Sequence, residues 1–351
     1  MKKNIIILTF LALALFVYFL SARIGEPKWA LVDFINKYFV MENGAVLIQS
    51  RDADTVLSES CGLYLLACAR LNDKARFDKT LGFIKKELIS EKGVLYWKIN
   101  IKTGQKERSS ASIDDLRVAR ALIEAHKIWK QEDYLKDALG LASAIMENET
   151  SEGYVLDSFS WEDKATKSGT VNISYLDLPT IKLLCEYDPR WEPIYQRCRA
   201  LMLDSVRNNG LFWEEYDLGA KKFYYKEGNV INQAYSALHL GQAGVVASDM
   251  KFVEFLRKQL LKNGSVFIIY DENGRALDRR ESAAVYALCA RLFRDLRDKK
   301  NENICYEKML SFQERIRYNK YRGGFGRFAP AAKRNYNSFD SLEALLTITG
   351  E

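Results

Sequence analysis

A glycine-led extended patch, followed by a polar or acidic cluster that opens an apolar helix, recurs six times along this chain at intervals of about 50–60 residues. The glycines are Gly44, Gly93, Gly153, Gly210, Gly264 and the pair Gly323-Gly324, soon joined by runs such as Val94-Leu95-Tyr96-Trp97 and Leu211-Phe212-Trp213. The helix starts read Ser58-Glu59-Ser60, Ser112-Ile113-Asp114-Asp115, Ser174-Tyr175-Leu176-Asp177, Asn229-Val230-Ile231-Asn232, Arg280-Glu281-Ser282 and Ser338-Phe339-Asp340. A period of this length marks a supersecondary unit repeated around or along an axis.

Each interval has room for two helices. In the first unit, residues 62–71 are apolar on nearly all faces, whereas Phe77, Leu81, Ile84 and Leu88 recur at helical spacing with lysines between them. The first helix of a unit is therefore expected to be buried and the second amphipathic. The pattern repeats at 118–129 with 134–146, 176–184 with 191–206, 234–240 with 252–261, and 283–293 with 304–316. The sixth buried helix, 342–348, has no partner after it, but an amphipathic segment at 29–39 stands unpaired at the start. Six buried helices inside six amphipathic ones predict an all-α (α/α)6 barrel, with short extended segments and loops at one rim. An open solenoid would show a shorter period and polar capping repeats. Parallel inner helices bring the polar starts and the aromatic patches to one face.

The chain has 351 residues, 48% of them hydrophobic, with no Pro/Gly/Ser-rich linker, so residues 25–351 read as one domain. Residues 1–24 stand apart: Met1-Lys2-Lys3 precedes an uncharged apolar stretch at 5–20. A helix of about 18 residues reaches roughly 27 Å, close to the thickness of a bilayer core. Leu20-Ser21-Ala22 puts leucine where a cleavage site wants a small residue, which favours an uncleaved signal anchor over a cleaved signal peptide. The leading lysines place the domain outside the cytoplasm, on a single-pass transmembrane helix in the cell membrane. The six cysteines sit within helical patterns and read as small buried hydrophobes. A net charge of +6 with acids interleaved, and no long basic block, argues against a nucleic-acid partner. His126 and His239 lie far apart with no ligand at metal-binding spacing, so no metal and no cofactor are expected.

A concave face lined with carboxylates and aromatic rings suits a polysaccharide: rings stack on sugar faces, and carboxylates bond hydroxyls or perform acid–base work. Ser58-Glu59-Ser60-Cys61-Gly62-Leu63-Tyr64, Leu71-Asn72-Asp73, Leu95-Tyr96-Trp97, and Ser110-Ala111-Ser112-Ile113-Asp114-Asp115 with Ala121-Leu122-Ile123-Glu124-Ala125 together resemble glycoside hydrolase family 8. The nearest likeness is to endoglycanases encoded beside bacterial exopolysaccharide and cellulose synthases. It is strongest over residues 55–150, and Asn172-Ile173-Ser174-Tyr175 and Gly210-Leu211-Phe212 keep the family's order. The resemblance implies an (α/α)6 barrel and inverting hydrolysis of β-linked glycans. It makes Glu59 the general acid and Asp115 the aspartate that holds the sugar at the cleavage point. Ile113 stands where the family has a further aspartate, with Asp114 beside it.

The general base is where the chain departs from the family. The matching stretch, Gly228-Asn229-Val230-Ile231-Asn232-Gln233, carries amides and no carboxylate. Glu214, Glu215, Asp217 and Glu227 lie just upstream; Asp217 is favoured because Tyr216-Asp217-Leu218-Gly219 reads as a turn. Asn232 would orient the water. Tyr64, Trp97, Trp161, Tyr175, Trp213 and Tyr235 are the expected sugar platforms. The leading reading is a membrane-anchored, extracytoplasmic endo-acting glycoside hydrolase that cleaves a β-linked exopolysaccharide by two carboxylates, working beside the polymer's synthase machinery. The alternative is a non-catalytic polysaccharide-binding or assembly subunit that has lost its base. A polysaccharide lyase is disfavoured by the scarcity of histidine.

Overall fold

The computed structural model describes residues 26–50, 52–246, 250–326 and 336–350. The expected membrane segment lies outside these residues, and no described helix is long and apolar enough to cross a membrane. The helices are α1 Pro27–Tyr38, α2 Ser58–Arg70, α3 Lys74–Phe83, α4 Ser112–Trp129, α5 Glu132–Asn148, α6 Leu178–Cys185, α7 Trp191–Asp204, α8 Val230–Gln242, α9 Lys251–Asn263, α10 Ala283–Asp295, α11 Lys299–Ser311 and α12 Ser338–Ile348. The even-numbered helices are the inner set. Successive members pack on one another from α2 to α12, and α12 packs back on α2, closing the ring. Outer helices α3, α5, α7 and α11 pack on the inner helix preceding each, and α1 packs on α12. This helix-rich arrangement fits an (α/α)6 barrel, its last pair completed from the N-terminal side.

Local chemistry sets the helix ends. Side chains of Asp73, Asp177, Asn229, Ser282, Asp298 and Asn337 accept a backbone N–H in the first turns of α3, α6, α8, α10, α11 and α12. The cap at Asp298 starts α11 earlier than the apolar pattern at 304–316 predicts. Inner helices also begin before their apolar runs, α2 at Ser58 and α4 at Ser112. Glu59, Asp114 and Asp115 therefore lie in first helical turns, where the helix dipole favours negative charge.

Short antiparallel strands form the rim around these starts. One sheet has the order β1–β2–β3, from Leu47–Gln49, Asp52–Leu57 and Lys98–Asn100. Another joins β4 Thr170–Asn172, β5 Glu215–Asp217 and β6 Lys222–Tyr224, with β5 central and Asn172 opposite Glu215. All six cysteines are free, and five are buried.

The turn glycines link one outer helix to the next. Gly210, after α7, stands against α9, and Gly323, after α11, stands against α1. Both have φ of +94°, and an added Cβ would meet the Lys251 carbonyl oxygen at 2.5 Å and the Ala30 carbonyl oxygen at 1.9 Å. The pattern is not universal, since a Cβ at Gly264 would meet nothing. Gly210→Ala is expected to destabilise the domain by roughly 1–3 kcal/mol, whereas Gly82→Ala, in open helical space, should leave the melting temperature within a degree or two or raise it. Thermal melts of the two variants check this.

Candidate active site

Glu59 lies half-buried in the first turn of α2, at a cavity of about 310 Å³ lined also by Gln49, Leu57, Asn337 and Phe339. A larger cavity of about 610 Å³ lies between α1 and the turn after α2, at the other end of that helix; size alone does not mark the chemistry. Burial, then the neighbouring Asp114 charge, raises the Glu59 pKa to about 8, with Glu343 and Asp340 adding to the rise and Arg117 opposing it. The shift favours the protonated form at neutral pH, the state an acid catalyst needs.

Beneath it a chain of buried charges crosses the ring. Asp114 accepts hydrogen bonds from Ser58 Oγ (2.7 Å) and Arg117 Nη1 (2.7 Å). The Arg117 guanidinium lies 5.8 Å from the Tyr235 ring centroid, the Tyr235 hydroxyl donates to Glu343, and Glu343 pairs with Arg291. Four inner helices, α4, α8, α10 and α12, meet in this floor. Arg117, Glu343 and Arg291 were not singled out by sequence reasoning. The available signal was a charged residue inside the apolar runs of α4, α10 and α12, which burial tolerates only when the charge is paired.

Several expected site residues lie elsewhere. Asp115 is fully buried away from this chain of charges: its Oδ1 accepts the Leu95 N–H (3.0 Å) and its neighbour is Glu149. Asp114, not Asp115, is the aspartate whose charge Glu59 feels. Successive residues on a helix point about 100° apart, so a one-residue uncertainty in register decides which reaches the cleft. Tyr64 is buried between helix rings, its hydroxyl bonded to Asn36 of α1 (2.6 Å), and offers no face to a sugar. Trp161 is stacked on Phe159 at 5.6 Å and packs with Tyr96 in a small satellite core. Tyr235 belongs to the floor rather than a platform. Asp217 accepts the Ala220 N–H (2.8 Å) and so caps the hairpin turn between β5 and β6.

Trp97, 36% exposed, remains at the rim, and its carbonyl receives the Ser58 N–H (3.0 Å) beside Glu59. Tyr175 is half-buried near Asp114 and Glu59; burial first, then those charges, pushes its phenol up to about 12. Trp213 is half-buried under Arg207, whose guanidinium lies 4.4 Å from its ring centroid. Asn232 is half-buried in the first turn of α8. Glu214 holds the loop before α8, its carboxylate accepting N–H groups from Lys226, Glu227, Gly228 and Asn229. Glu215 pairs with Lys226 (2.9 Å), and Glu227 is exposed. Among the described residues no cluster of His, Cys, Asp and Glu could hold a metal ion.

A half-buried acid at a cleft floored by charges and rimmed by aromatic rings is the equipment of a glycoside hydrolase. The sequence profile of glycosyl hydrolases family 8 matches residues 4–223, more than half of the chain, and the protein belongs to that family. It is 26% identical to YdaJ of Bacillus subtilis (strain 168), over 88% of this chain and 84% of that one. Its fold matches an α-amylase from Clostridium perfringens with a TM-score of 0.84 at 25% identity, covering 93% and 98% of the two chains. It also matches the endo-β-1,4-glucanase of Acetobacter xylinum with a TM-score of 0.67 at 15% identity, covering 92% and 98%.

Asp115 Oδ2 and Glu149 Oε2 receive no N–H or hydroxyl donor, and a proton shared between the two carboxyls satisfies both. Burial pushes Glu149 up to about 7 from its ordinary 4.5, and burial with the Glu149 charge raises Asp115 as well. A carboxyl raised on folding contributes stability that is full below its unfolded pKa and is lost as pH rises through the folded value. Melting temperature should therefore fall between about pH 4.5 and 7. Glu149→Gln, whose amide donates to Asp115 without titrating, should make that fall shallower, as read by melts across the range.

Proposed function

We propose that this glycoside hydrolase cuts within a polysaccharide chain by an inverting, two-carboxylate reaction, with Glu59 as the general acid. The observation that carries this reading is the place of Glu59, in the first turn of α2 at a cavity, where burial and the Asp114 charge raise its pKa to about 8. As the glycosidic bond lengthens, the leaving oxygen takes the Glu59 proton, while a second carboxylate at the rim takes a proton from the attacking water. A water between two carboxylates requires a separation of about 6.5–9.5 Å, and attack from the far face inverts the anomeric centre. Asp114, fixed by Ser58 and Arg117, would order the sugar at the cleavage point; Trp97, Tyr175 and Trp213 would stack neighbouring sugars, and Asn232 would help place the water.

The substrate of this reading is a β-linked exopolysaccharide made by the same cell, trimmed at the membrane surface beside the synthase that exports it. Support comes from the apolar segment at 5–20 and the endo-β-1,4-glucanase likeness. Trp29 of α1 lines one cavity with residues 71–76, beyond the end of α2 farthest from Glu59. A chain entering α1 from a membrane anchor would thus leave the cleft facing away from the bilayer. A second reading keeps the chemistry and changes the linkage to an α-glucan, favoured by the higher TM-score with the Clostridium α-amylase.

Digestion of carboxymethylcellulose, barley β-glucan and amylose by the purified protein separates the linkages, and proton NMR of the first product should show inversion. Glu59→Gln should lower kcat by about 10²–10⁴-fold with the melting temperature unchanged or higher, since it removes a crowded acid. Because the acid must be protonated, the rate should hold below and fall as pH rises through about 8. A Glu59→Gln variant with near-normal turnover would remove the assignment.

A further inference from the structure

The base is not among the carboxylates closest to Glu59. Asp114 is paired with Arg117 and Glu343 with Arg291, and Asp340 accepts from Ser282 Oγ (2.6 Å), the Ala284 N–H (3.0 Å) and Asn337 Nδ2 (2.7 Å). The acids upstream of α8 are no better placed. Glu214 is filled by backbone donors, Glu215 faces Lys226, and Asp217 caps its own turn. Strand register also works against Asp217: it pairs with Thr170, two positions beyond the Glu215–Asn172 pair that adjoins the Tyr175 turn.

Asp157, on the segment that runs against β4, differs from all of these. It is half-buried, its Oδ2 accepts from Thr170 Oγ1 (2.6 Å) and its Oδ1 from the Asn172 N–H. Those donors fix the plane of the carboxylate without an ion pair of its own, leaving each oxygen a further lone pair. Asn172 in turn caps the short helical turn Ile173–Tyr175 through the Ser174 N–H (3.1 Å). Asp157 is thus two hydrogen bonds from the turn that presents Tyr175, and the Tyr175 hydroxyl lies within the electrostatic reach of Asp114, Glu59 and Asp157 together.

Resting on the hydrolase reading above, we propose that Asp157 is the general base and that Tyr175, on the turn capped by Asn172, holds the attacking water. In the step, the Asp157 carboxylate takes a proton from water as the water oxygen bonds to the anomeric carbon. The bond from that carbon to the leaving oxygen breaks, and that oxygen takes the Glu59 proton. Asp157 ends protonated and Glu59 ionised, and exchange with solvent restores both. Burial raises the Asp157 pKa, with its hydrogen bonds and Lys226 opposing, which strengthens it as a proton acceptor.

The test uses the full domain and whichever of amylose, carboxymethylcellulose and barley β-glucan the wild type cleaves. Asp157→Asn should lower kcat by about 10²–10⁴-fold with little change in KM, and sodium azide should restore turnover with a glycosyl azide as product. Asp157→Glu should recover part of the rate, and Asp217→Asn should stay within a fewfold of wild type. A purely structural residue would show neither azide rescue nor recovery by glutamate. Retained activity in Asp157→Asn alongside an inactive Glu59→Gln would overturn the assignment and leave the hydrolase reading standing, and so would loss of folding in both Asp157 variants. Failure of the wild type on all three polymers would instead remove the hydrolase reading.

Discussion

The position of every group in the cleft depends on the ring being closed, and closure depends on α12. It packs against α10, α2 and α1 at once, and its first residue ties directly to the site: Ser338 Oγ and Ser60 Oγ lie 2.8 Å apart. Around that seam, Gln313 Nε2 donates to the Pro27 carbonyl (2.8 Å) and the Tyr38 hydroxyl to the Lys320 carbonyl (2.6 Å). Without α12, Glu59 would lose the neighbours Asp340 and Glu343 that help keep it protonated, and its wall of the cleft would face solvent. Closure thus sets the electrostatics of Glu59 as well as the packing.

The floor of the cleft is costly by the ordinary logic of protein interiors. Buried ion pairs seldom stabilise a fold relative to apolar residues of similar volume, yet removing one member strands the other and is destabilising by several kcal/mol. Here the pairs Asp114–Arg117 and Glu343–Arg291 are nearly inaccessible, joined through Tyr235. Their arrangement makes sense at the level of the acid above them. Carboxylates outnumber the cation acting on Glu59, so the balance favours its neutral form, while Arg117 and the Ser58 hydroxyl oppose the rise that burial imposes on Asp114. Arg117 acts on both acids but pairs directly with Asp114, a division produced by environment rather than residue type.

Much of this was legible in the chain before folding. The sixfold spacing of glycines and polar helix starts predicts paired helices, and the unpaired segment at 29–39 predicts that α1 completes the last pair. Those signals survive because helical periodicity and capping are local. The readings that changed were of another kind. Tyr64, Trp161 and Tyr235 sit near the right helix starts in sequence but point into the core, a satellite core and the floor; direction depends on which neighbours surround the helix. For the same reason it is Asp114, not Asp115, whose charge reaches Glu59. Asp157 and Glu149 carried no motif at all, since their significance lies in Thr170, Asn172 and Ser110, which reach them across strands and turns.

By itself, the sequence determined the number of helices, their pairing, the face on which their polar starts converge and the acid at the mouth of α2. Each follows from spacing along one segment or from the chemistry of one turn. Only the tertiary structure decided which of two adjacent aspartates faces Glu59, which aromatic rings stay at the surface, and which donors hold each rim carboxylate. Those outcomes depend on distances between residues far apart in the chain and on how much water is excluded around each, quantities that come into being when the ring closes.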